Sequence, residues 1–566
     1  MKKFTKLLGI VLIIALVMSM GTMALAAPTK VDLSVNAVDG HTYTAYQLFV
    51  GDYDSTSGKL SNVKWGANAA SSISYKTKGA DGKYTVDATA TPTKDAAVPQ
   101  EVLDYLASLA GKGTATDGVA QATANIISDW VTGTGTTITA TAVKVDTGYY
   151  VVKDAYTNPS ADQTTTLSTV VCEVVGPTTV APKAGTTTHK KEVLDVNDTT
   201  DTAIDLSNLQ NVAEGWDKTA DHDFGDKVPF KLTTTIGSDF AKYDEYVLKI
   251  HDTLSGGLVL NSDSIAVYVD GTKATKDTDY TVTSGDTGES FAIEFSKLND
   301  VTGAAAGKDV VVYYTATLTD NNVVVIGNPG NPNESYAEFS NNPNGDQSGT
   351  AKTPKDTVVV FTYKTDVDKV DPDGKELTGA GFTLYKKYKA TVTGKTNVAG
   401  TTPAGAQSTT FPSGEFWYEV ETISTGTTFS FEGIDDGTYI LVESTTPSGY
   451  NTIDPITITV TATHGKDNPV TYSGTDATGY VIKTLTTDNT DFTASPSGGQ
   501  IVMKKDGKTE HTMASGEIYG EIENNSGTVL PSTGGIGTTI FYVVGSILVV
   551  AAGVLLITKK RMNREG

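Results

Sequence analysis

Along most of the chain, apolar and polar residues alternate with a period of two. Runs such as KVDTGYYVVKD, YVLKIHDTL, DVVVYYTATL and GTYILVEST place every second side chain on one face, and DG, NG, GD and PSG separate them. This is the pattern of antiparallel strands, whose successive side chains point to opposite faces, joined by turns that Gly, Asn, Asp and Pro favour. Two stretches before residue 131, VPQEVLDYLASLAG and ATANIISDWV, repeat at helical spacing instead. The pattern predicts a mainly β chain: a mixed α+β N-terminal domain followed by tandem β-sandwiches.

The two ends break this pattern. The first residues, MKKFTKLLGIVLIIALVMSMGTMALAAPTK, run from basic to apolar to small side chains and reach Ala24-Leu25-Ala26. That order is a secretory signal, so residues 1–26 are expected to be removed. Cleavage after Ala27 is disfavoured because Pro28 would follow it directly. Residues 536–558 contain no Asp, Glu, Lys or Arg, and a bilayer's hydrocarbon core needs about 20 such residues to be crossed. The basic tail 559–566, with Lys559, Lys560, Arg561 and Arg564, should remain cytoplasmic.

Turn-rich segments of weak pattern, GPTTVAPKAGTTTH at 176–189 and NNPNGDQSGTAKTPKD at 341–356, divide the rest. They give expected domains at 28–180, 184–350 and 356–527, each large enough for its own core. No short solenoid repeat is present.

The formal charge of −23 argues against nucleic acid or anionic lipid as a partner, since either needs a basic face. The single cysteine, Cys172 in TVVCEVV, excludes an internal disulfide and reads as a buried small hydrophobe. His41, His189, His222, His251, His464 and His511 show no metal-ligand spacing, and DVNDTTD does not match a calcium loop. They read as surface or loop residues, with no metal and no cofactor implied. No phosphate loop or nucleophile elbow is present.

Ahead of the apolar span stands LPSTG, Leu530, Pro531, Ser532, Thr533 and Gly534. The order of pentapeptide, apolar span and basic tail resembles the sorting signal of Gram-positive surface proteins, which a sortase cleaves between Thr and Gly. The residue types suit that chemistry. Pro531 fixes one φ angle in an extended segment, and Gly534 leaves the Thr533 carbonyl open to a thiolate. The chain is therefore expected to be a substrate there, and not an enzyme.

Within the third domain, DKVDPDGKELTGAGFTLYKK at 368–387 resembles the opening strands of the B-type (Cna-B-like) repeats of collagen-binding adhesins, an Ig-like β-sandwich family. YILVESTTPSGY at 439–450 resembles that family's E-box, with Ser444 in place of Thr and Thr446 in place of Ala. The resemblance implies an intramolecular isopeptide bond between Lys369 and Asn524, the latter in GEIYGEIENN, with Glu443 as catalyst. Burial makes this chemistry reasonable, because a low-dielectric core favours the neutral amine and the neutral acid. Holding the pair in contact supplies a large effective molarity. Alternation in TYILVES puts Tyr439, Leu441 and Glu443 on one face, the core one.

In the second domain, GDKVPFKLTTTI and YVLKIHDTLSGGLVL resemble strands of Gram-positive backbone pilins. There the resemblance makes Asp252 the catalytic acid and Lys191, or Lys190, the nucleophile. The acceptor falls in NPNESYAEFSNNPN, where parity leaves both Asn333 and Asn341 facing the core; first and last strands running parallel and adjacent would favour Asn333. The first domain resembles the pilins' N-terminal domains through HTYTAYQLFVGD and LSNVKWG, and no crosslink is expected in it. The linker VAPKAG resembles the pilin motif ending in Tyr-Pro-Lys, which makes Lys183 the expected linking lysine, although Ala181 stands where Tyr is usual.

The resemblance as a whole implies a major pilin subunit that is secreted and anchored to peptidoglycan. A class C-type sortase would polymerise it, joining Thr533 of one copy to Lys183 of the next. Its implied partners are sortase, identical subunits, accessory pilins, peptidoglycan and host matrix proteins. The alternative is a monomeric wall-anchored adhesin that binds a host matrix protein.

Overall fold

A computed structural model of the chain describes residues 30–54, 59–109, 126–158, 163–182, 185–343, 349–403, 411–466, 478–527 and 536–562. The expected signal segment, Lys183 and the LPSTG pentapeptide lie outside the described residues.

The first domain is mixed, as the two periodicities predict. Its main sheet runs in the order Lys59–Trp65, His41–Asp54, Gly148–Tyr156, Thr169–Val174, with Thr136–Ile138 added to the second of these. The helix Gln100–Leu109 buries Val102, Leu103, Tyr105 and Leu106. These pack with Leu48, Trp65 and Trp130. Cys172 is buried in a smaller cluster with Tyr43, Tyr150 and Val174, and burial pushes its thiol up to about 12.

The second domain is a sandwich of two sheets. One runs Trp216–Asp217, Thr188–Leu194, Lys227–Thr235, Asp309–Leu318, Leu258–Val269, Thr272–Lys273. The other runs Thr219–Asp221, Asp356–Phe361, Asn331–Ser340, Leu248–Leu254, Phe291–Phe295, Thr281–Thr283, with Thr350–Lys352 also on Asn331–Ser340. Alternation does the packing: Val310, Val312, Tyr314 and Ala316 share one face of their strand and are all buried. The expectation that the first and last strands lie parallel and adjacent fails here. Thr188–Leu194 pairs antiparallel with Lys227–Thr235, in the sheet opposite Asn331–Ser340.

In the third domain, Thr428–Ile434, Tyr363–Val370, Glu517–Glu523 and Phe492–Ser495 form one sheet. Phe416–Gly426, Ala380–Tyr388, Gly437–Thr445, Ile456–Lys466 and Tyr480–Thr487 form the other. First and last strands are parallel neighbours here, with Lys369 opposite Ile522.

The junction between these two sandwiches falls later than the expected boundary at 356. Strand Asp356–Phe361 belongs to the second domain's sheet, and a single residue, Thr362, separates it from Tyr363–Val370 in the third. The contact around it is close. A Cβ on Gly433 would lie 2.0 Å from the Phe224 ring, and one on Gly327 would lie 2.0 Å from the Ser515 carbonyl oxygen; both glycines have positive φ, a combination only Gly tolerates. Beside them Lys386, fully buried, donates from Nζ to Asp223 at 2.6 Å, Asp435 at 2.5 Å and Asp198 at 3.1 Å. Burial opposes its charge, but the aspartates prevail and hold the ammonium well above the usual lysine range. Two of them, Asp198 and Asp223, come from the second domain, so the lysine ties the pair together.

The helix Ile536–Met562 extends slightly beyond the expected span and is unburied against the β domains.

Candidate functional sites

Strand Thr188–Leu194 turns Lys191 into the second domain's core, where it is fully buried. Its ammonium contacts Asp252 Oδ2 and donates to the Tyr314 hydroxyl at 3.0 Å. That hydroxyl donates to Asp252 Oδ2 at 2.9 Å and accepts from Asn333 Nδ2 at 2.7 Å. Lys191, Asp252 and Asn333 are thus brought together around one tyrosine, with the Lys191 ammonium 5.5 Å from the ring centroids of both Phe230 and Tyr314. Burial lowers Lys191 from the ordinary lysine range despite Asp252 beside it, and raises Asp252. The remaining oxygens, Asp252 Oδ1 and Asn333 Oδ1, have no hydrogen-bond partner.

The alternatives lie elsewhere. Lys190 points outward and pairs with Glu192 at 2.5 Å. Asn341 is buried at the junction with the first domain, where its carbonyl accepts from the Leu167 amide at 2.8 Å.

The third domain gathers Lys369, Glu443 and Asn524, all at most 1% exposed. Lys369 lies on the parallel ladder and donates from Nζ to the Ile522 carbonyl at 2.8 Å. Asn524 continues that ladder through its amide, which bonds the Val370 carbonyl. Its Nδ2 donates to Glu443 Oε1 at 2.7 Å, and its Oδ1 has no partner. Burial lowers Lys369 to about 8 even with Glu443 nearby. Such an amine is neutral over a much larger fraction of molecules near neutral pH than an ordinary lysine. Thr446, where the B-type pattern has Ala, donates its hydroxyl to Glu443 Oε2 at 3.2 Å.

Three features escaped the sequence reading. Tyr314 is central to the first cluster, and its parity with Val310, Val312 and Ala316 is the signal that could have found it. Lys386 shares inward parity with Ala380, Phe382 and Leu384. The histidines are not all surface residues: His41, His222 and His251 are buried, each meeting through at least one ring nitrogen a carboxylate or carbonyl that folding brings in, such as Glu289 for His251 Nδ1 at 2.8 Å and the Leu194 carbonyl for His222 Nε2 at 2.9 Å.

Comparison with known proteins follows the same divisions. Residues 224–343 match the family model of the Gram-positive pilin backbone subunit 2, Cna-B-like domain. Residues 364–478 match a prealbumin-like fold domain, and 522–564 the LPXTG cell wall anchor motif. The trypsin-resistant surface T6 protein of Streptococcus pyogenes serotype M6 is 24% identical over 380 residues, covering 60% of this chain and 65% of its own length. The chain therefore spans just under two thirds of that curated relative. The solved T6 backbone pilin of the same serotype, described as a modular three-domain structure, superposes with a TM-score of 0.50 at 16% identity, covering 89% of this chain and 100% of that one. The second domain, the third domain and the C-terminus of the chain thus match in turn the Gram-positive pilin backbone, prealbumin-like and LPXTG wall-anchor models.

Proposed function

We propose that the chain is the backbone subunit of a surface pilus, polymerised through a sortase-made link between Thr533 and Lys183 of the next copy and strengthened by two self-formed amide bonds. The observation that carries this is the pair of dry lysine, acid and asparagine clusters in successive domains, upstream of the wall anchor.

The chemistry is the same in each. The neutral amine of Lys191 or Lys369 attacks Cγ of Asn333 or Asn524. A new C–N bond forms, the Cγ–Nδ2 bond breaks, and the departing nitrogen leaves as ammonia. Asp252 or Glu443 passes a proton to the departing nitrogen as it takes one from the attacking amine. In the second domain Tyr314 joins acid, amine and acceptor, so the proton has a hydrogen-bonded route. In the third the acid bonds the leaving nitrogen directly.

With external links at Lys183 and Thr533, tension passes through the second and third domains, the two that hold clusters. The first domain hangs outside that path. Accessory pilins, peptidoglycan and host matrix proteins are the partners that follow from this role.

Replacing Lys183 with Ala tests the polymer. The surface protein should collapse from a high-molecular-weight ladder to monomer. An unchanged ladder would sink the pilin reading and favour the monomeric adhesin.

A further inference from the structure

The second and third domains meet at a further cluster whose geometry neither the amide chemistry nor the Lys386 contact explains. Asp195 and Asp221 come from the second domain and His464 from strand Ile456–Lys466 of the third. One ligand atom from each lies within 4.8 Å of the others. His464 Nε2 is 3.7 Å from Asp195 Oδ2 and 3.9 Å from Asp221 Oδ1. These separations exceed a hydrogen bond, which closes at roughly 2.7–3.2 Å. They come within a few tenths of an ångström of the spacing of two ligands on one tetrahedral ion with bonds of about 2.0–2.2 Å.

The surroundings orient each donor. His464 Nδ1 lies 2.8 Å from the hydroxyl of Thr219. With that hydroxyl accepting the Nδ1 proton, the lone pair of Nε2 faces the aspartates, the arrangement in which a hydrogen bond to one ring nitrogen prepares the other to bind metal. Asp195 Oδ1 accepts from the Asp221 amide at 3.2 Å, which leaves Oδ2 directed at the histidine. Asp221 is 3% exposed, and its Oδ2 has no hydrogen-bond partner. A carboxylate oxygen left so at such depth is unfavourable, and a bound cation would satisfy it. Phe361 packs against the imidazole ring, giving the site an apolar wall. The Asp195 side chain is 42% exposed and leaves an entry path and a position for water.

We propose that Asp195, Asp221 and His464 bind a divalent transition ion of the zinc class, which staples the second domain to the third. One imidazole with two carboxylates is a borderline nitrogen and oxygen donor set that suits zinc better than calcium or magnesium, which prefer oxygen alone. The ion would cross the junction alongside Thr362, on the segment between Lys183 and Thr533. The proposal rests on the domain contact and is independent of whether the chain polymerises.

The test uses the chain from 28 to 533, which keeps every β domain, stripped of metal and titrated calorimetrically with zinc chloride near neutral pH. The wild type should take up one equivalent, and its two sandwiches should resist proteolysis at the junction for longer when zinc is present. His464→Ala and Asp195→Asn should each weaken binding at least about tenfold. Asp195→Asn keeps the proposal falsifiable should the buried histidine be needed for folding, because its side chain is partly in solvent. His511→Ala, at a histidine paired with Glu517 in the third domain, should bind as the wild type does. No saturable zinc uptake by the wild type, or uptake unchanged in Asp195→Asn, would overturn the site.

Discussion

The second and third domains hold the same three kinds of side chain in different topologies. In the third, Lys369 and Asn524 flank a parallel ladder in which the first strand, Tyr363–Val370, pairs directly with the last, Glu517–Glu523. Tension applied at its two ends would shear that ladder, and an amide there would backstop contacts that already share the load. In the second, Lys191 and Asn333 lie in opposite sheets. An amide there would cross the core, from a strand whose ladder partners are Lys227–Thr235 and Trp216–Asp217, and which meets the other sheet only through side chains such as Ser335 and Asp356, to one paired with the exit strand Asp356–Phe361. Pulling on the first strand would otherwise peel it away. The comparison teaches that the proposed reaction would serve two mechanical situations, and that the second domain would depend on it more.

The strongest way to break the comparison is to remove the nucleophiles. Each proposed bond closes a loop of about 150 residues, which by the chain-entropy estimate stabilises by roughly 5 kcal/mol. Lys191→Ala and Lys369→Ala should each raise the intact mass relative to a bonded wild type by about 17 Da beyond the change of side chain, the mass of ammonia. Each should lower the unfolding midpoint of its own domain. Under force the Lys191→Ala domain should extend at the lower load; equal unfolding forces would refute the topological difference. A wild-type mass equal to that calculated from sequence would remove both bonds.

Next in size is the junction. Lys386→Met leaves Asp435 buried beside Asp223 without their cation, a loss of the kind that costs about 3–5 kcal/mol. The two sandwiches should then unfold in separate calorimetric transitions, whereas the wild type should show them coupled.

Tyr314→Phe sharpens the chemical difference, because only the second domain routes its cluster through a hydroxyl. Deleting it leaves Lys191 and Asn333 each short of a hydrogen bond, a loss of about 1–3 kcal/mol before the amide forms. The second bond should form slowly, visible as a persistent fraction about 17 Da heavier, while the third domain's bond forms as before.

How much of this was legible beforehand depended on whether the information was local. Alternation in DVVVYYTATL and GTYILVEST gave the strands and put Glu443 on the inner face, because side-chain parity is a property of the strand itself. Alternation does not say which strand lies beside which. The placement of Thr188–Leu194 opposite Asn331–Ser340 was therefore misjudged, and so was the membership of Asp356–Phe361. Lys386 went unremarked and His464 read as a surface or loop residue because Asp223 and Asp221, which meet them, arrive from more than 160 residues earlier in the chain. Lys183 rests on motif resemblance alone, whereas LPSTG also falls in the wall-anchor match of residues 522–564.

A pH titration distinguishes a free Lys369 from a bonded one. In Asn524→Ala no amide can form, and the buried amine titrates at about 8 in the folded state against 10.5 as an ordinary lysine. Between those values the unfolded chain binds more protons than the folded one, so stability rises with pH across that window. Below about 8 the lysine is charged in both states and the full penalty of burying it applies; above 10.5 it is neutral in both and the penalty vanishes. Urea denaturation of Asn524→Ala should therefore show the third domain gaining stability from pH 8 toward 10.5. In Lys369→Met the pH dependence from this group should disappear. An amide-bonded wild type should lack it too, since its lysine nitrogen no longer titrates. Persistence of the same slope in Lys369→Met would assign the titration to another group and leave Lys369 without the neutral amine that the reaction requires.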